Sequence, residues 1–272
     1  MNTQAEPYEV VIATYGRRQT TRSDVFLNHH LYGEPDGPIG MDYFVWVIRN
    51  AERTIVVDTG FSEHGGRVRG REQLIGVPQL FADIGVDPAS SPIVIVTHAH
   101  YDHIGNLGVF PDSPIYLGGG ELEFWRGPHR HRTLFGHSVE DAELEHLEAA
   151  MAGGRITTVT GRTWVAPGVE VLEVGGHTPG QCMVRVFTTE GWVLLASDAV
   201  HYYEELERDR PFTSVADLVG MYDAFDLIRA MLASGEVDRV VPGHDPDTIE
   251  RSGATPERGG TIGVIGALVG VR

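Results

Sequence analysis

The chain has 272 residues, 42% hydrophobic and 22% charged, which is the composition of an ordinary globular protein with a sizeable core. Its one cysteine, Cys182, excludes an internal disulfide and any multi-cysteine zinc site. The net charge is −17, from 38 acidic residues and 21 basic residues that are all arginine, and it disfavours nucleic acid and anionic membranes as partners.

The first half of the chain alternates apolar runs with helical patterns. Residues 41–48 and 53–58 predict two strands, and the short segment 50–52 between them predicts a hairpin. Residues 71–84 place apolar side chains at helical spacing, which predicts a helix. The run of isoleucine and valine at 92–97 is typical of a strand buried on both faces.

The second half continues the alternation. Residues 138–151 predict an acidic amphipathic helix, with Ser138 as its N-cap. The remaining predicted elements are three strands, a helix and a last buried strand, at 169–174, 183–188, 192–196, 214–233 and 237–241. The glycine-rich segment 259–272 leaves two alternatives open, a closing strand or a loosely held tail.

This order of elements predicts an α/β protein of sheets covered by helices. No linker divides the sequence, so we expect a single domain over residues 1–272 with a helical insert at about 119–153. No apolar run is long enough for a transmembrane helix. Residues 1–10 lack the basic and apolar pattern of a secretory signal, so a cytoplasmic protein is expected.

The strongest chemical feature is the run His98-Ala99-His100-Tyr101-Asp102-His103, directly after the predicted strand 92–97. Side chains two residues apart at a strand end point to the same side, so the first two histidines can share one metal ion. A turn near Gly105 would displace the aspartate and the last histidine toward a second ion. Imidazole and carboxylate groups are both zinc ligands.

Further ligand types follow three other predicted strands. His177 lies in the loop Gly-Gly-His-Thr-Pro-Gly, Asp198 follows the strand 192–196, and His244 lies in Pro-Gly-His-Asp. Loops at strand ends are where functional sites are usually built. The sequence therefore predicts a site for two divalent ions. Zinc is expected, while iron, cobalt and manganese suit the same ligands.

The order His-x-His-x-Asp-His, then His, Asp and His, resembles the metallo-β-lactamase superfamily over roughly residues 41–245. The resemblance implies a four-layer αββα sandwich with a dinuclear metal site at one edge. It assigns His98, His100 and His177 to the first metal, Asp102, His103 and His244 to the second, and Asp198 to a bridge between them. Asp58, in Val-Val-Asp-Thr-Gly, would support the ligands from behind.

Within that superfamily the chain looks most like the N-acyl homoserine lactonases and pyridoxolactonases. The segments that carry this likeness are Met-Asp-Tyr-Phe-Val-Trp at 41–46, Val-Asp-Thr-Gly-Phe at 57–61, Gly-His-Thr-Pro-Gly at 176–180, Ala-Ser-Asp-Ala at 196–199 and Pro-Gly-His-Asp at 242–245. The likeness implies a quorum-quenching hydrolase in which a hydroxide bridging two metals opens the ring of a small lactone. Asp102 would then carry a proton to the leaving oxygen.

One position departs from the lactonase pattern. Many of these enzymes have a tyrosine three residues after the bridging aspartate, where its hydroxyl can bond the substrate carbonyl, and here that position is His201, followed by Tyr202. Either side chain could supply the donor. Arg22 is a further candidate for binding the substrate.

Other reactions use the same ligands. Thioester hydrolases of the hydroxyacylglutathione type share them, but they usually carry a C-terminal helical domain with basic residues for glutathione, and this chain has no lysine and a short glycine-rich segment at that place. Nucleases need a basic surface, which the charge of −17 opposes. Di-iron redox members usually bring a flavin domain, and no flavin fingerprint is present. Whether the protein forms a homodimer stays open.

Overall fold

The computed structural model describes residues 6–268 and residue 270, and their strands form two sheets. The first sheet has nine strands. They are β1 (Glu9–Thr21), β2 (Pro38–Arg49), β3 (Thr54–Val57), β4 (Glu72–Gln73), β5 (Ile93–Val96), β6 (Ile115–Gly118), β7 (Ile156–Val159), β13 (Thr255–Glu257) and β14 (Ile262–Ile265). The spatial order is β13-β14-β1-β2-β3-β5-β6-β7, and β4 pairs with β1.

The second sheet has five strands in the order β12-β11-β10-β9-β8. They are β8 (Arg162–Ala166), β9 (Val169–Glu173), β10 (Cys182–Thr188), β11 (Gly191–Ser197) and β12 (Arg239–Pro242). The strands β11 and β12 run parallel, whereas β8 to β11 are joined as antiparallel pairs.

The helices cover the outer faces of the sheets. They are α1 (Arg22–Val25), α2 (Glu63–Val68), α3 (Val77–Asp83), α4 (Tyr101–Ile104), α5 (Gly119–Arg126), α6 (Thr133–Gly136), α7 (Asp141–Ala152), α8 (Tyr203–Arg208), α9 (Leu218–Ser234) and α10 (Thr248–Arg251). Short 3-10 turns occur at His29–Tyr32, Pro88–Ser90, Leu107–Val109, Pro128–His131 and Arg258–Gly260. None of the helices in the described part of the chain is long and apolar enough to cross a membrane.

Three apolar clusters hold the layers together. Side chains from both sheets meet in the middle, with Trp46 and Ile12 on one side and Val184 and Leu195 on the other. A second cluster lies between the first sheet and the helices α3, α5 and α7. In the third, α9 packs Phe225 and its apolar neighbours on the second sheet; each such side chain contributes about 1.5–3 kcal/mol. The predicted four-layer αββα sandwich is confirmed.

The hairpin of β2 and β3 and the strand β5 are confirmed, but the helix predicted at 71–84 was wrong in its first half. Residues 72 and 73 form the short strand β4 on β1, and the helix begins only at Val77. Pro78 explains the late start, because a proline without an N–H is tolerated only in the first turn of a helix.

Two other helix starts also differ from prediction. Ser138 does not cap α7, because it lies in the turn that follows α6 and the helix begins only after Glu140, which is extended. The Ser138 carbonyl instead accepts from the backbone of Tyr101. The helix predicted at 214–233 begins at Leu218, where the side chain of Asp217 caps it. Of the two alternatives for 259–272, the closing strand is confirmed as β14, and residues 269, 271 and 272 lie outside the described residues.

Candidate metal centre

The ends of strands from both sheets meet at one edge of the sandwich. His98 follows β5 in the first sheet, while Asp198 directly follows β11 in the second. The two strand ends are tied together by a 2.8 Å hydrogen bond between the hydroxyls of Thr97 and Ser197. The Thr97 carbonyl also accepts from the backbone of Cys182 on β10. Residues far apart in sequence therefore converge where the two sheets touch.

Each ligand predicted from the sequence lies in this cluster and is buried. The nitrogens of His98, His100 and His177 form one group whose atoms lie within 4.8 Å of one another, and Asp102, His103 and His244 form a second such group. Helix α4 explains the division, since it begins directly after His100 and turns Asp102 and His103 away from the strand. These are the two sets that the family resemblance assigned.

Asp198 lies between the two groups and turns one carboxylate oxygen toward each. Its Oδ2 is 3.3 Å from Nε2 of His177 and 3.7 Å from Nε2 of His98. Its Oδ1 is 3.2 Å from Nε2 of His244 and 3.4 Å from Nε2 of His103. A carboxylate in this position can bind one ion with each oxygen.

Hydrogen bonds behind the cluster fix which nitrogen of His177 and of His244 carries a proton. His177 Nδ1 is 2.8 Å from the carbonyl of Ser214, and His244 Nδ1 is 2.8 Å from the carbonyl of Asp42. A carbonyl only accepts, so each Nδ1 donates and each Nε2 keeps a free lone pair toward the cluster. Such partners are typical of histidines that bind metals.

Asp58 likewise fixes the proton of His103 on Nδ1. The chain adopts a left-handed conformation at Asp58, with φ of 61°, immediately after β3. This conformation aims the carboxylate at the end of β5, where Oδ1 accepts from the Thr97 backbone at 2.8 Å and Oδ2 accepts from the Thr97 hydroxyl at 2.7 Å. The same Oδ2 accepts from Nδ1 of His103 at 2.8 Å, which leaves Nε2 of His103 free.

The free atoms fit divalent ions. Nε2 of His98, His103 and His244 and Oδ1 of Asp198 are buried with no hydrogen-bond partner among the described residues, an arrangement that is costly without a ligand. Two ligands at zinc distances in tetrahedral geometry lie about 3.3–3.6 Å apart, close to the separations around Asp198. His100 Nδ1 and His177 Nε2 are 3.0 Å apart.

Burial keeps three of the imidazoles neutral, as a ligand must be. It lowers the pKa of His98 and of His100 well below the usual value, and it lowers the pKa of His177 to about 3. His103 shifts the other way: burial would lower its pKa, but the carboxylates of Asp198 and Asp58 outweigh burial and raise it.

The two candidate carbonyl donors occupy different surroundings. The hydroxyl of Tyr202 donates to the carbonyl of Gly40 at 3.0 Å, and its ring packs on Phe26. His201 lies fully buried, with Nε2 3.1 Å from Oδ2 of Asp198. Neither side chain lines the cavity over the cluster.

His201 is enclosed from both sides. Its Nδ1 is 3.2 Å from Oε1 of Glu205, and its ring stacks on Phe212 with 3.8 Å between centroids. Burial would lower the pKa of His201, but the carboxylates of Asp198 and Glu205 prevail and raise it to about 9. Phe212 lines the cavity and covers the imidazole. His201 therefore contacts Asp198 and does not face the cavity.

Arg22 does not line the cavity either. Its guanidinium forms an ion pair with Glu204, with Glu34 at 3.9 Å, and lies over the ring of Phe26. The structure therefore leaves its predicted contact with substrate without support.

The sequence reasoning missed Glu121, a fully buried carboxylate at the start of α5. Its Oε1 accepts from the backbone of Ala99 at 2.8 Å and from the indole of Trp125 at 2.5 Å, and its Oε2 accepts from Gly180 at 3.2 Å. It therefore joins the loop of His98 and His100 to the loop of His177. An acidic residue in a first helical turn usually complements the helix dipole, so the sequence held no signal of this role.

Two glycines allow the loops to approach this closely. A Cβ on Gly180 would lie 1.9 Å from the backbone nitrogen of Glu121, and a Cβ on Gly243 would lie 2.7 Å from Oδ1 of Asp198. Both positions need the absence of a side chain. The close approach of the loops therefore explains the glycine in each of the segments Thr-Pro-Gly and Pro-Gly-His-Asp.

Two adjacent cavities, which share part of their lining, open over the cluster. The larger, of about 490 Å³, is bounded by His100, Asp102, His177, Asp198 and His244 together with aromatic and arginine side chains. The smaller, of about 340 Å³, shares His100 and His177 and is lined on its far side by apolar residues of the predicted insert, namely Phe124, Trp125, Leu134 and Phe135. A small molecule can therefore reach the cluster with an apolar group on one side.

Comparison with known proteins places the chain in context. Residues 40–244 match the family described as the Metallo-beta-lactamase superfamily. An N-acyl homoserine lactonase of Bacillus thuringiensis is 26% identical over 193 residues, which cover 65% of this chain and 72% of that protein. Metallo-beta-lactamase domain-containing protein 1 of Homo sapiens is 29% identical over 223 residues, covering 77% of this chain and 65% of that protein.

Solved structures share the fold. A quorum-quenching N-acyl homoserine lactone lactonase superposes with a TM-score of 0.73 at 22% identity, covering 91% of this chain and 95% of that one. AidC, a dizinc quorum-quenching lactonase in complex with a product, superposes with a TM-score of 0.70 at 18% identity, covering 89% of each chain.

Proposed function

Because the chain belongs to the metallo-beta-lactamase superfamily, we propose that it is a metal-dependent hydrolase that opens the ring of a small lactone. The observation that carries the proposal is the position of Asp198, with one oxygen toward His177 and the other toward His244. The relatives named as N-acyl homoserine lactonases support the choice of bond.

Two divalent ions are the proposed cofactors. His98, His100 and His177 would hold one, Asp102, His103 and His244 would hold the other, and Asp198 would contact both. Zinc is the expected metal. Such a pair, when bound, lowers the pKa of a water and polarises a carbonyl group. The donors are imidazoles and carboxylates, which suit that task.

Asp102 is the proposed proton carrier. It lines the larger cavity, and its two oxygens lie 3.8 Å from Nε2 of His103 and 3.8 Å from Nε2 of His244. Its backbone is held in place by the hydroxyl of Tyr15, which donates to the Asp102 carbonyl at 3.0 Å. Asp102 can accept a proton in the cavity and return it to the alkoxide oxygen that leaves when the ring opens.

His201 is assigned a positioning role. Between Glu205 and Asp198 it can hold the Asp198 carboxylate in the orientation that serves both groups of histidines. Since Phe212 separates it from the cavity and Tyr202 is bonded to Gly40, we do not assign the carbonyl donor to either side chain.

The test measures the acid that the metal-loaded protein releases from each member of a lactone panel, by pH-stat titration. The panel spans acyl homoserine lactones of several chain lengths, simple γ-lactones, aromatic lactones and pyridoxolactone, with a glutathione thioester as the competing substrate. Hydrolysis of at least one lactone faster than the thioester is expected. No release from any lactone by protein with verified metal would overturn the proposal.

The variant Asp198→Asn keeps the size of the side chain and removes its charge. We expect it to lose bound metal and more than a hundredfold in lactonase rate, because a neutral amide is a poor bridge between cations. The matched control is Asp226→Asn, an aspartate exposed on α9, which should keep both the metal and the rate.

A further inference from the structure

Arginine side chains line the larger cavity beside the metal cluster, in a protein with a net charge of −17. Arg18 lies on β1 opposite Met41 of β2, and the two side chains share a face of the sheet with Tyr43. Arg69 and Arg71 follow α2 and enter the cavity from another side. Three positively charged side chains therefore lie where a substrate would bind.

Arg69 already has partners for its charge. It forms an ion pair with Glu140, donates from Nη2 to the carbonyl of His137 at 2.7 Å, and lies over the ring of Tyr101 with 4.1 Å to the centroid. These contacts account for its presence as part of the cavity wall, and no ligand is needed to explain it.

Arg18 and Arg71 are different, since neither forms a salt bridge within residues 6–268. Nη2 of Arg18 donates to the hydroxyl of Thr20 at 3.3 Å, while its Nε is buried with no hydrogen-bond partner in the described structure. Arg71 donates from Nε to the hydroxyl of Tyr101 at 3.0 Å and from Nη1 to the carbonyl of Arg69 at 2.8 Å. Both guanidiniums keep N–H groups that can bind a ligand.

The carboxylates near these arginines are engaged elsewhere. Asp24 also lines the cavity, but its carboxylate contacts the Thr20 hydroxyl at 3.3 Å and reaches Arg18 only through that hydroxyl. Asp102 and Asp198 belong to the metal cluster. Leaving a partly buried guanidinium without an anion is costly, so this part of the cavity favours a negatively charged oxygen group.

Arg71 is close to the proposed metal ligands. The ring of Tyr43 lies 5.0 Å from the ring of His244, and the guanidinium of Arg71 lies 6.0 Å from the Tyr43 centroid. One aromatic ring therefore separates Arg71 from a proposed metal ligand. A substituent a few atoms from the scissile bond would reach the guanidinium.

We propose that Arg18 and Arg71 form an anion-binding subsite, and that the preferred substrate is a lactone whose side chain carries a carboxylate or a phosphate. The planar guanidinium matches the paired oxygens of both groups. This inference rests on the proposed lactonase function and names the substrate class. An uncharged acyl homoserine lactone would leave the subsite unfilled.

The test compares γ-lactones that share one side chain and differ only at its end, which is a carboxylate, a phosphate monoester, a carboxamide or a methyl ester. For the metal-loaded wild type we expect kcat/KM for the better anionic lactone to exceed that for the neutral ones by about tenfold to a hundredfold, the size of one charge-assisted hydrogen bond. The two anionic arms distinguish carboxylate from phosphate.

Arg18→Gln and Arg71→Gln should each reduce this preference at least tenfold, because the anionic lactones lose much more of their kcat/KM than the neutral lactones do. The matched control is Arg67→Gln, an exposed arginine on α2 outside the cavity. An equal rate for charged and neutral lactones in the wild type would overturn the proposal. So would an equal loss on both kinds of lactone in the variants, because the arginines would then act on the reacting group or on the fold.

A binding measurement separates this proposal from the lactonase proposal. Glutarate and its monoamide each carry a carboxylate that the metals can bind, and they differ in the second charge. Calorimetry on metal-loaded protein should show glutarate binding at least tenfold more tightly, with the difference abolished in Arg18→Gln. If glutarate binds more tightly but no lactone is hydrolysed, the lactonase proposal is rejected and the subsite is kept. Equal binding of glutarate and its monoamide would reject the subsite.

Discussion

Replacing Asp58 with asparagine tests how the cluster is held. The carboxylate accepts three hydrogen bonds, from the Thr97 backbone, the Thr97 hydroxyl and Nδ1 of His103, at 2.8, 2.7 and 2.8 Å. An asparagine can keep the first with its oxygen, but its NH₂ group would face the other two donors. Each lost bond to a charged, buried acceptor costs about 1.5–3 kcal/mol.

The His103 imidazole can escape this conflict by moving its proton to Nε2, and it then loses the lone pair that faces Asp198. We therefore expect Asp58→Asn to weaken metal binding by about ten- to a hundredfold and to lower the free energy of unfolding by about 2–4 kcal/mol. Competition with a chelator and urea unfolding measure the two effects.

Asp87→Asn is the matched control for this variant. Asp87 accepts a backbone hydrogen bond from Ala89 at an exposed turn remote from the cluster, so its replacement should leave metal affinity unchanged. If Asp58→Asn bound metal as tightly as the wild type, the reasoning that His103 depends on the Asp58 carboxylate would be refuted.

Three further expectations concern residues around the cluster. Burial raises the pKa of Glu143 from 4.5 to about 7. Between these two pH values the folded state binds more protons than the unfolded state, so it loses stability as the pH rises through this range. Glu143→Gln should therefore add about 2 kcal/mol to the free energy of unfolding at pH 8 and little near pH 4.5, and equal gains at both pH values in urea titrations would contradict this. Glu121→Gln places an amide NH₂ opposite a backbone donor. It should lower the free energy of unfolding by about 1–3 kcal/mol and weaken metal binding, as measured by urea unfolding and metal analysis. Unchanged values would show that Glu121 does not hold the two loops together. His201→Ala should lower turnover about tenfold or more with metal retained, while Tyr202→Phe should lose only about 1 kcal/mol of stability; a fall in turnover for Tyr202→Phe alone would identify Tyr202 as the carbonyl donor.

The sequence predicted the buried strands well because a run such as Ile93–Val96 needs no context to be recognised. It did not reveal β1, whose pattern is interrupted by a register shift between Thr14 and Gly16 and ends in polar residues. Such a strand is specified by its partners β2 and β14. Helix starts were also displaced, because caps such as Asp217 depend on where the chain leaves the preceding loop.

The cluster of histidines and aspartates was predictable for a topological reason. Each predicted ligand follows a strand or lies one helical turn beyond it, and strands that end at one edge of a sandwich bring such residues together whatever their separation in sequence. Glu121 was not predictable, because its role comes from the approach of two loops across Gly180. The same limit applies to His201, whose enclosure by Phe212 and Glu205 depends on side-chain packing.

The residues proposed to select the substrate have a different origin from those proposed to bind metal. The family match spans residues 40–244 and contains each of the proposed metal ligands, but Arg18 lies outside it on β1. Its partner Arg71 follows α2, in the segment where a short strand replaced the predicted helix. The β1–β4 pairing joins Arg17 to Glu72, next to both arginines. The early strand thus sets one wall of the cavity, and a change there can alter the substrate while the metal chemistry stays the same.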